Sequence, residues 1–266
     1  MLGLQGILFD LDGVLVNSIP AHGKAWAWIM STMGLEVDPF VAPLTEGLHS
    51  QKIARLIFEA ADYKPGLLMS TDELETLIDK KRDYYRKIVG QVSLSKEVMK
   101  VLRSLKNKGF ALALVTSTSK QNLDHIVSTD QQSVFDTILW ASSVTHSKPH
   151  PEPYLLAAKQ LNLAPDHCLV VENAVFGIRS ARAAGAWCVA VASTLPVKYL
   201  QEAHLVVPSV LELGSEEFWT KLEDIMNCVG EPGILPPSEE LISDIPVRFK
   251  YRVSEAPPRE SSSSSL

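Results

Sequence analysis

An α/β fold built on a doubly wound parallel sheet is what this sequence of 266 residues predicts. Three observations carry that expectation: short apolar runs without polar alternation, amphipathic stretches between them, and polar residues where the runs end. The runs are Gln5 to Phe9 before Asp10, Phe110 to Val115 before Thr116, Cys168 to Val171 before Glu172, and Trp187 to Ala192. Val, Ile, Leu and Phe in unbroken succession suit strands covered on both faces, hence a parallel sheet. Val134 to Trp140 reads as a fifth strand. Between them, Lys96 to Lys108 puts Val98, Val101, Leu102 and Leu105 on one helical face, and Gly109 closes the helix. Pro153 to Leu161 and Gly177 to Ala184 follow suit, with Gly185 ending the latter. Strand–helix alternation of this kind gathers chemistry at the carboxyl ends of strands, where Asp10, Thr116 and Glu172 stand.

Residues 16–91 break the alternation. Ala21 to Met33, Gln51 to Ala61 and Thr71 to Val89 read as amphipathic helices with no strand among them. The expected organisation is a Rossmann-like core from residues 1–15 and 92–229, with a small α-helical cap, residues 16–91, inserted after the first strand. A cap so placed would close over substrate and exclude water. Residues 230–266 hold 6 of the 16 prolines and end in serines before Leu266, a composition that predicts a mobile tail. Within it Ile245, Val247, Phe249, Tyr251 and Val253 alternate with Pro246, Arg248, Lys250 and Arg252. That period-2 pattern marks 245–253 as a candidate protein contact, or as chance within a tail.

A net charge of -6 argues against nucleic acid or anionic membrane as the main partner. A phosphate site in such a chain needs local cations. Cys168, Cys188 and Cys228 are too few and scattered for a disulfide framework or a zinc site, and the first two read as small core residues. Met1 to Asp10 lacks the basic and apolar regions of a signal peptide, and no run approaches the roughly 18 apolar residues of a membrane span. A cytoplasmic monomer is expected.

Asp10 and Asp12 follow a buried strand directly and precede Gly13, so the chain turns sharply with both acids at the sheet end. Two buried carboxylates side by side need a compensating cation or proton, and a hard divalent metal taking oxygen ligands is the natural one. Alone, an Asp-x-Asp pair more often marks a solvated turn. Here four elements recur in order: Asp10-Leu11-Asp12-Gly13-Val14-Leu15, a strand ending in Thr116-Ser117, Ser147-Lys148-Pro149, and Val171-Glu172-Asn173 followed by Gly177 and Ala183-Ala184-Gly185. This set resembles the haloacid dehalogenase superfamily, in its phosphatase branch with a helical cap after the first motif. The resemblance covers roughly residues 5 to 215.

The resemblance implies a role for each motif. Asp10 would be the nucleophile and form an aspartyl-phosphate. Asp12 would protonate the leaving alcohol and then deprotonate water, its backbone carbonyl also ligating magnesium. Thr116 or Ser117 would bind the phosphoryl oxygens, and Lys148 would offset the charge of nucleophile and phosphate. Asp10, Asp12, Glu172 and Asn173 would hold Mg2+. Asn173 departs from the family, which has Asp there; it keeps an oxygen and removes a charge, so weaker magnesium binding is expected.

Ser18 and His22 stand at the spacing seen in sugar-phosphate members of the family, and Lys81 matches a cap lysine near substrate in the β-phosphoglucomutase branch. A hinge-packing histidine and a solvated basic face, Lys80-Lys81-Arg82, are the plainer readings of those positions. The mutase branch holds a second phosphate with a basic cap loop. The corresponding stretch, Thr45 to Gln51, has no lysine or arginine, and Glu46 stands where a lysine would be. The expectation is therefore a magnesium-dependent phosphatase of small phosphorylated metabolites, sugar phosphates foremost. A phosphomutase is the alternative within the fold, and a non-catalytic scaffold using its tail is the alternative outside enzymes.

Overall fold

The structure is a computed structural model and describes residues 3–90 and 92–238. In chain order the elements are β1 Gly6–Phe9, α1 Ile19–Ser31, α2 Val41–Thr45, α3 Ser50–Ala60, α4 Lys64–Leu67 and α5 Thr71–Val89. There follow α6 Lys96–Asn107, β2 Ala111–Val115, α7 Lys120–Ile126, α8 Thr129–Gln132, β3 Thr137–Leu139, α9 Glu152–Gln160 and β4 Cys168–Glu172. α10 Val175–Ala183, β5 Trp187–Val191, β6 Leu205–Val207 and α11 Glu216–Val229 complete the described chain.

All strands pair in parallel in the order β3-β2-β1-β4-β5-β6. The doubly wound parallel sheet read from the apolar runs is therefore present. Its missing alternation has the expected cause. In β1, Ile7 and Phe9 face one buried cluster with Leu112, Leu114, Leu169, Val171 and Val189, while Leu8 faces a second with Ala113, Val115, Val170 and Ala190. Each strand thus buries both pleat faces. Cys168 and Cys188 sit in that second cluster as buried free thiols. The strand order reverses between β1 and β4, which opens a crevice above their carboxyl ends.

α1 to α5 lie between β1 and β2 in sequence and share a third apolar cluster. Trp26, Ile29 and Met30 of α1 meet Ile53, Ile57 and Phe58 of α3 and Leu74, Leu77 and Ile78 of α5. Phe176, from α10, is the core residue that packs into it. α5 starts at a capping box: Ser70 Oγ accepts from Glu73 N at 3.3 Å and Glu73 Oε2 accepts from Ser70 N at 2.8 Å. Tyr85 and Val89, at the other end of α5, belong to the sheet's cluster instead. α5 therefore spans both apolar cores.

β6 and helices α2, α4, α7, α8 and α11 have no counterpart among the elements the sequence predicts. Past α11 the described chain meets the end of α10 and the residue before β6, with His204 Nε2 3.0 Å from the Pro232 carbonyl and Leu235 N donating to the Arg182 carbonyl at 3.3 Å. The candidate contact strand 245–253 lies outside the described residues. No helix among the described residues is long and apolar enough to cross a membrane.

Candidate active site

β1 carries Asp10 to the crevice as a continuation of its ladder: Asp10 N donates to the Val171 carbonyl at 3.0 Å. The chain then turns, with Gly13 N donating to the Val16 carbonyl at 2.7 Å and Gly13 at φ +83°. A side chain at this position fails twice over. The φ is left-handed, and a Cβ would lie 2.1 Å from Asn173 Nδ2. Gly13 thus lets the first motif and the residue after β4 touch.

Lys148 is the hub. Its Nζ donates to Asp10 Oδ1 at 2.6 Å, Glu172 Oε1 at 2.6 Å and the Val115 carbonyl at 3.2 Å, with the side chain 1% exposed. Three strand ends, β1, β2 and β4, are tied by one ammonium. The two carboxylates push its pKa upward against burial. The loop that delivers Lys148 is shaped by Glu152, which accepts from the backbone N–H of Thr145 at 2.8 Å and of His146 at 2.9 Å. His146, His150 and Glu152 form a surface trio with ligand atoms within 4.8 Å of one another. Both oxygens of Glu152 are occupied by those amides, so the trio reads as the brace of the lysine loop.

Asp10 is deeply buried. Burial pushes its carboxyl upward, with Lys148 opposing and Glu172 and Asp12 adding. Its Oδ2 has no hydrogen-bond partner. Glu172 is the opposite case. Oε1 accepts from Lys148 and from Tyr154 Oη at 2.6 Å, and Oε2 accepts from Asn173 N at 3.0 Å and Ala174 N at 3.4 Å.

Asp12 faces the cap side. Its Oδ1 accepts from Ser18 Oγ and lies 3.3 Å from His22 Nε2, while Oδ2 accepts from Thr118 Oγ1 at 3.0 Å and Thr116 Oγ1 at 3.5 Å. Burial would raise this carboxyl, but His22 and the hydroxyls of Ser18 and Thr118 hold it at about 2. His22 stacks on Tyr85 at 4.0 Å and has Lys81 Nζ 3.0 Å from its Nδ1. Burial and Lys81 lower the imidazole pKa. If Lys81 donates to Nδ1 as an ammonium, the His22 proton sits on Nε2, facing Asp12. Lys81 is itself buried, which brings it down to about 7.

The structure thus brings Asp10, Lys148 and Glu172 together, and separately Asp12, Ser18, His22, Lys81 and Thr116. Ser117 points elsewhere, donating to the Gly47 carbonyl of the cap loop at 2.9 Å. Successive residues after a strand face opposite ways, which separates Thr116 and Thr118 from Ser117. Sequence reasoning missed Thr118, although the run Thr116-Ser117-Thr118 contains that period. It also missed Tyr154 and Thr194, which no local pattern marks. The crevice between cap and core is lined by Asp10, Asp12, His22, Glu46, Lys81 and Thr118, among others.

The model of the haloacid dehalogenase-like hydrolases matches residues 7–191. The chain belongs to that family. Among similar members of the family is the phosphorylated carbohydrates phosphatase of Thermotoga maritima, 31% identical over 186 residues, 68% of this chain and 82% of the relative. Fructose-1-phosphate phosphatase YqaB of Escherichia coli is 30% identical over 182 residues, 68% of this chain and 92% of the relative. The crystal structure of a β-phosphoglucomutase from Clostridium difficile superposes with a TM-score of 0.73 at 25% identity, covering 85% of this chain and 99% of that one. With such relatives this haloacid dehalogenase-like hydrolase is a phosphoric monoester hydrolase in class.

The family's magnesium fits the residues present. Asn173 Oδ1 is a buried oxygen with no hydrogen-bond partner. Hard cations take such oxygens, and a buried unpaired acceptor costs free energy without one.

Proposed function

We propose that the chain hydrolyses small phosphorylated metabolites, sugar phosphates foremost, with magnesium and through a phosphoryl-Asp10 intermediate. The observation that carries this reading is the division of labour on Asp10. Lys148 occupies Oδ1, and Oδ2 carries no hydrogen bond. A carboxylate pinned by one oxygen presents the other in a fixed direction, which is what in-line attack on phosphorus requires.

Asp10 Oδ2 forms a bond to phosphorus as the ester P–O bond breaks, and the departing alkoxide takes a proton from Asp12. Water attacking the acyl phosphate then returns its proton to Asp12, releasing phosphate and the original carboxylate. Asp12 rests ionised, ready for the second half. For the first half its proton arrives from His22 Nε2 as Lys81, which titrates near neutrality, protonates Nδ1. After the second half the proton taken from water passes back along the same path to Lys81 and leaves Asp12 ionised again. Lys148 offsets the nucleophile and phosphoryl charge without moving. Asp10, the Asp12 carbonyl and Asn173 would hold magnesium, which would supply further charge neutralisation. Glu172, expected from the sequence as a ligand, has both oxygens hydrogen-bonded and would instead support that site by fixing Lys148 and the Asn173 backbone.

The likeness to a β-phosphoglucomutase favours a phosphomutase as the second reading. Such an enzyme must hold a second phosphate under the cap. Glu46 lines the crevice there, and Arg82 is engaged by Glu75 at 2.5 Å and Asp79 at 2.8 Å. An anion facing an anion opposes that reading. A panel of phosphate esters assayed with magnesium tests the proposal, sugar phosphates being expected to turn over fastest. Isomer formation from β-glucose 1-phosphate with a bisphosphate primer, outrunning phosphate release, would favour the mutase instead.

A further inference from the structure

Glu46 and Asn173 meet across the boundary between cap and core. Glu46 ends α2 in the cap, and Asn173 follows β4. Asn173 Nδ2 donates to Glu46 Oε2 at 2.9 Å and to Thr194 Oγ1 at 3.0 Å. That geometry consumes the amide nitrogen and one carboxylate oxygen. Asn173 Oδ1 and Glu46 Oε1 remain, both buried and both without a partner, and Glu46 lines the same crevice as Asp10 and Asp12. Unpartnered buried acceptors are rare in folded proteins. Asn173 is 0% exposed and Asp10 4%.

The placement of Glu46 is built into the closed cap. Its neighbour Gly47 accepts from Ser117 Oγ at 2.9 Å, and His49 N donates to Ser147 Oγ at 3.3 Å. These bonds hold the cap loop on the core.

We propose that Glu46 supplies, from the cap, the anionic oxygen ligand that Asn173 withholds from the core, so that the divalent cation site is complete only with the cap closed. The inference rests on the magnesium-dependent phosphatase reading and deepens it. A neutral amide hydrogen-bonded to one carboxylate carries the same charge as a single aspartate, displaced from core to cap. Charge count among oxygen ligands sets affinity for a hard cation. Coupling is reciprocal: if closure tightens the cation, the cation favours closure by the same factor. Opening the cap to exchange substrate and product would loosen the metal at the same time.

The experiment is calorimetric titration of the full chain with magnesium alone, for wild type, Glu46→Gln and Glu46→Gln/Asn173→Asp, with thermal melts confirming each fold. Glu46→Gln is expected to weaken magnesium on the order of 10- to 100-fold. Adding Asn173→Asp is expected to bring affinity back near wild type, because the charge returns to the core. Hydrogen exchange at residues 46–49 should slow with magnesium in wild type and not in the double variant. Wild-type affinity in Glu46→Gln overturns the inference, and so does a double variant that remains as weak as the single. Ester hydrolysis measured alongside separates the two claims. Turnover that needs Asp10 and magnesium, with Glu46→Gln binding magnesium normally, sinks this inference and leaves the phosphatase reading in place.

Discussion

Lys148 Nζ lies 2.6 Å from Asp10 Oδ1, and this contact decides which oxygen of Asp10 is available for chemistry. The same ammonium neutralises Glu172, so one buried cation serves two buried carboxylates. Removing it strands both. Lys148→Met should lower kcat by roughly 100- to 1000-fold and lower stability by about 3–5 kcal/mol. Steady-state kinetics and urea unfolding read the two effects. A variant as stable and active as wild type would show that the lysine is not the hub.

Gly13 and Gly109 form a matched pair for testing the first-motif turn. Both have positive φ, +83° and +92°, but a Cβ on Gly13 meets Asn173 whereas one on Gly109 meets nothing within 4 Å. Gly109→Ala should cost about 1 kcal/mol from backbone strain and leave turnover alone. Gly13→Ala should cost more and also abolish most activity by displacing Asn173. Equal effects of the two substitutions on activity would remove Gly13 from the account.

The hydroxyl run after β2 gives a third test. Thr118→Val removes a hydrogen bond to Asp12 and is expected to reduce kcat. Ser117→Ala frees the Gly47 carbonyl and is expected to alter KM through the cap while sparing kcat. If both variants changed only KM, Thr118 would not act on Asp12.

How far the site was legible follows from the same run. A strand end is a local property, so Asp10, Asp12, Thr116 and Glu172 could be placed from apolar runs alone. Lys148 needed the family resemblance, since nothing local turns an ordinary loop lysine inward. Glu46 was visible only as the wrong charge in a cap loop. Its hydrogen bond to Asn173 spans 127 residues and depends on how cap meets core, which no periodicity encodes. β6 escaped because Leu205–Val207 is three residues long at the sheet edge. α11, although amphipathic, lies beyond the last catalytic motif, where only its apolar spacing spoke for it.

Lys81 gives a pH test. Burial is the main reason its pKa falls from the ordinary 10.5 to about 7, Asp12 opposing. Between those values the unfolded chain holds a proton that the folded chain lacks. Stability from this group therefore rises with pH across the window, at up to about 1.4 kcal/mol per pH unit. Below pH 7 both states are protonated and the cost of burying the charge is fully present. Lys81→Met should remove that slope, as read by urea unfolding from pH 7 to 10. A slope identical to wild type would mean that Lys81 titrates normally.

The central claim is that Asp10 becomes phosphorylated. Rapid quenching of the magnesium-loaded enzyme with a labelled sugar phosphate, followed by recovery of denatured protein, tests it most directly. Wild type should carry label that hydroxylamine removes, as an acyl phosphate does, and Asp10→Asn should carry none and lose turnover. Full turnover by Asp10→Asn, or label that stays on that variant, would contradict the account.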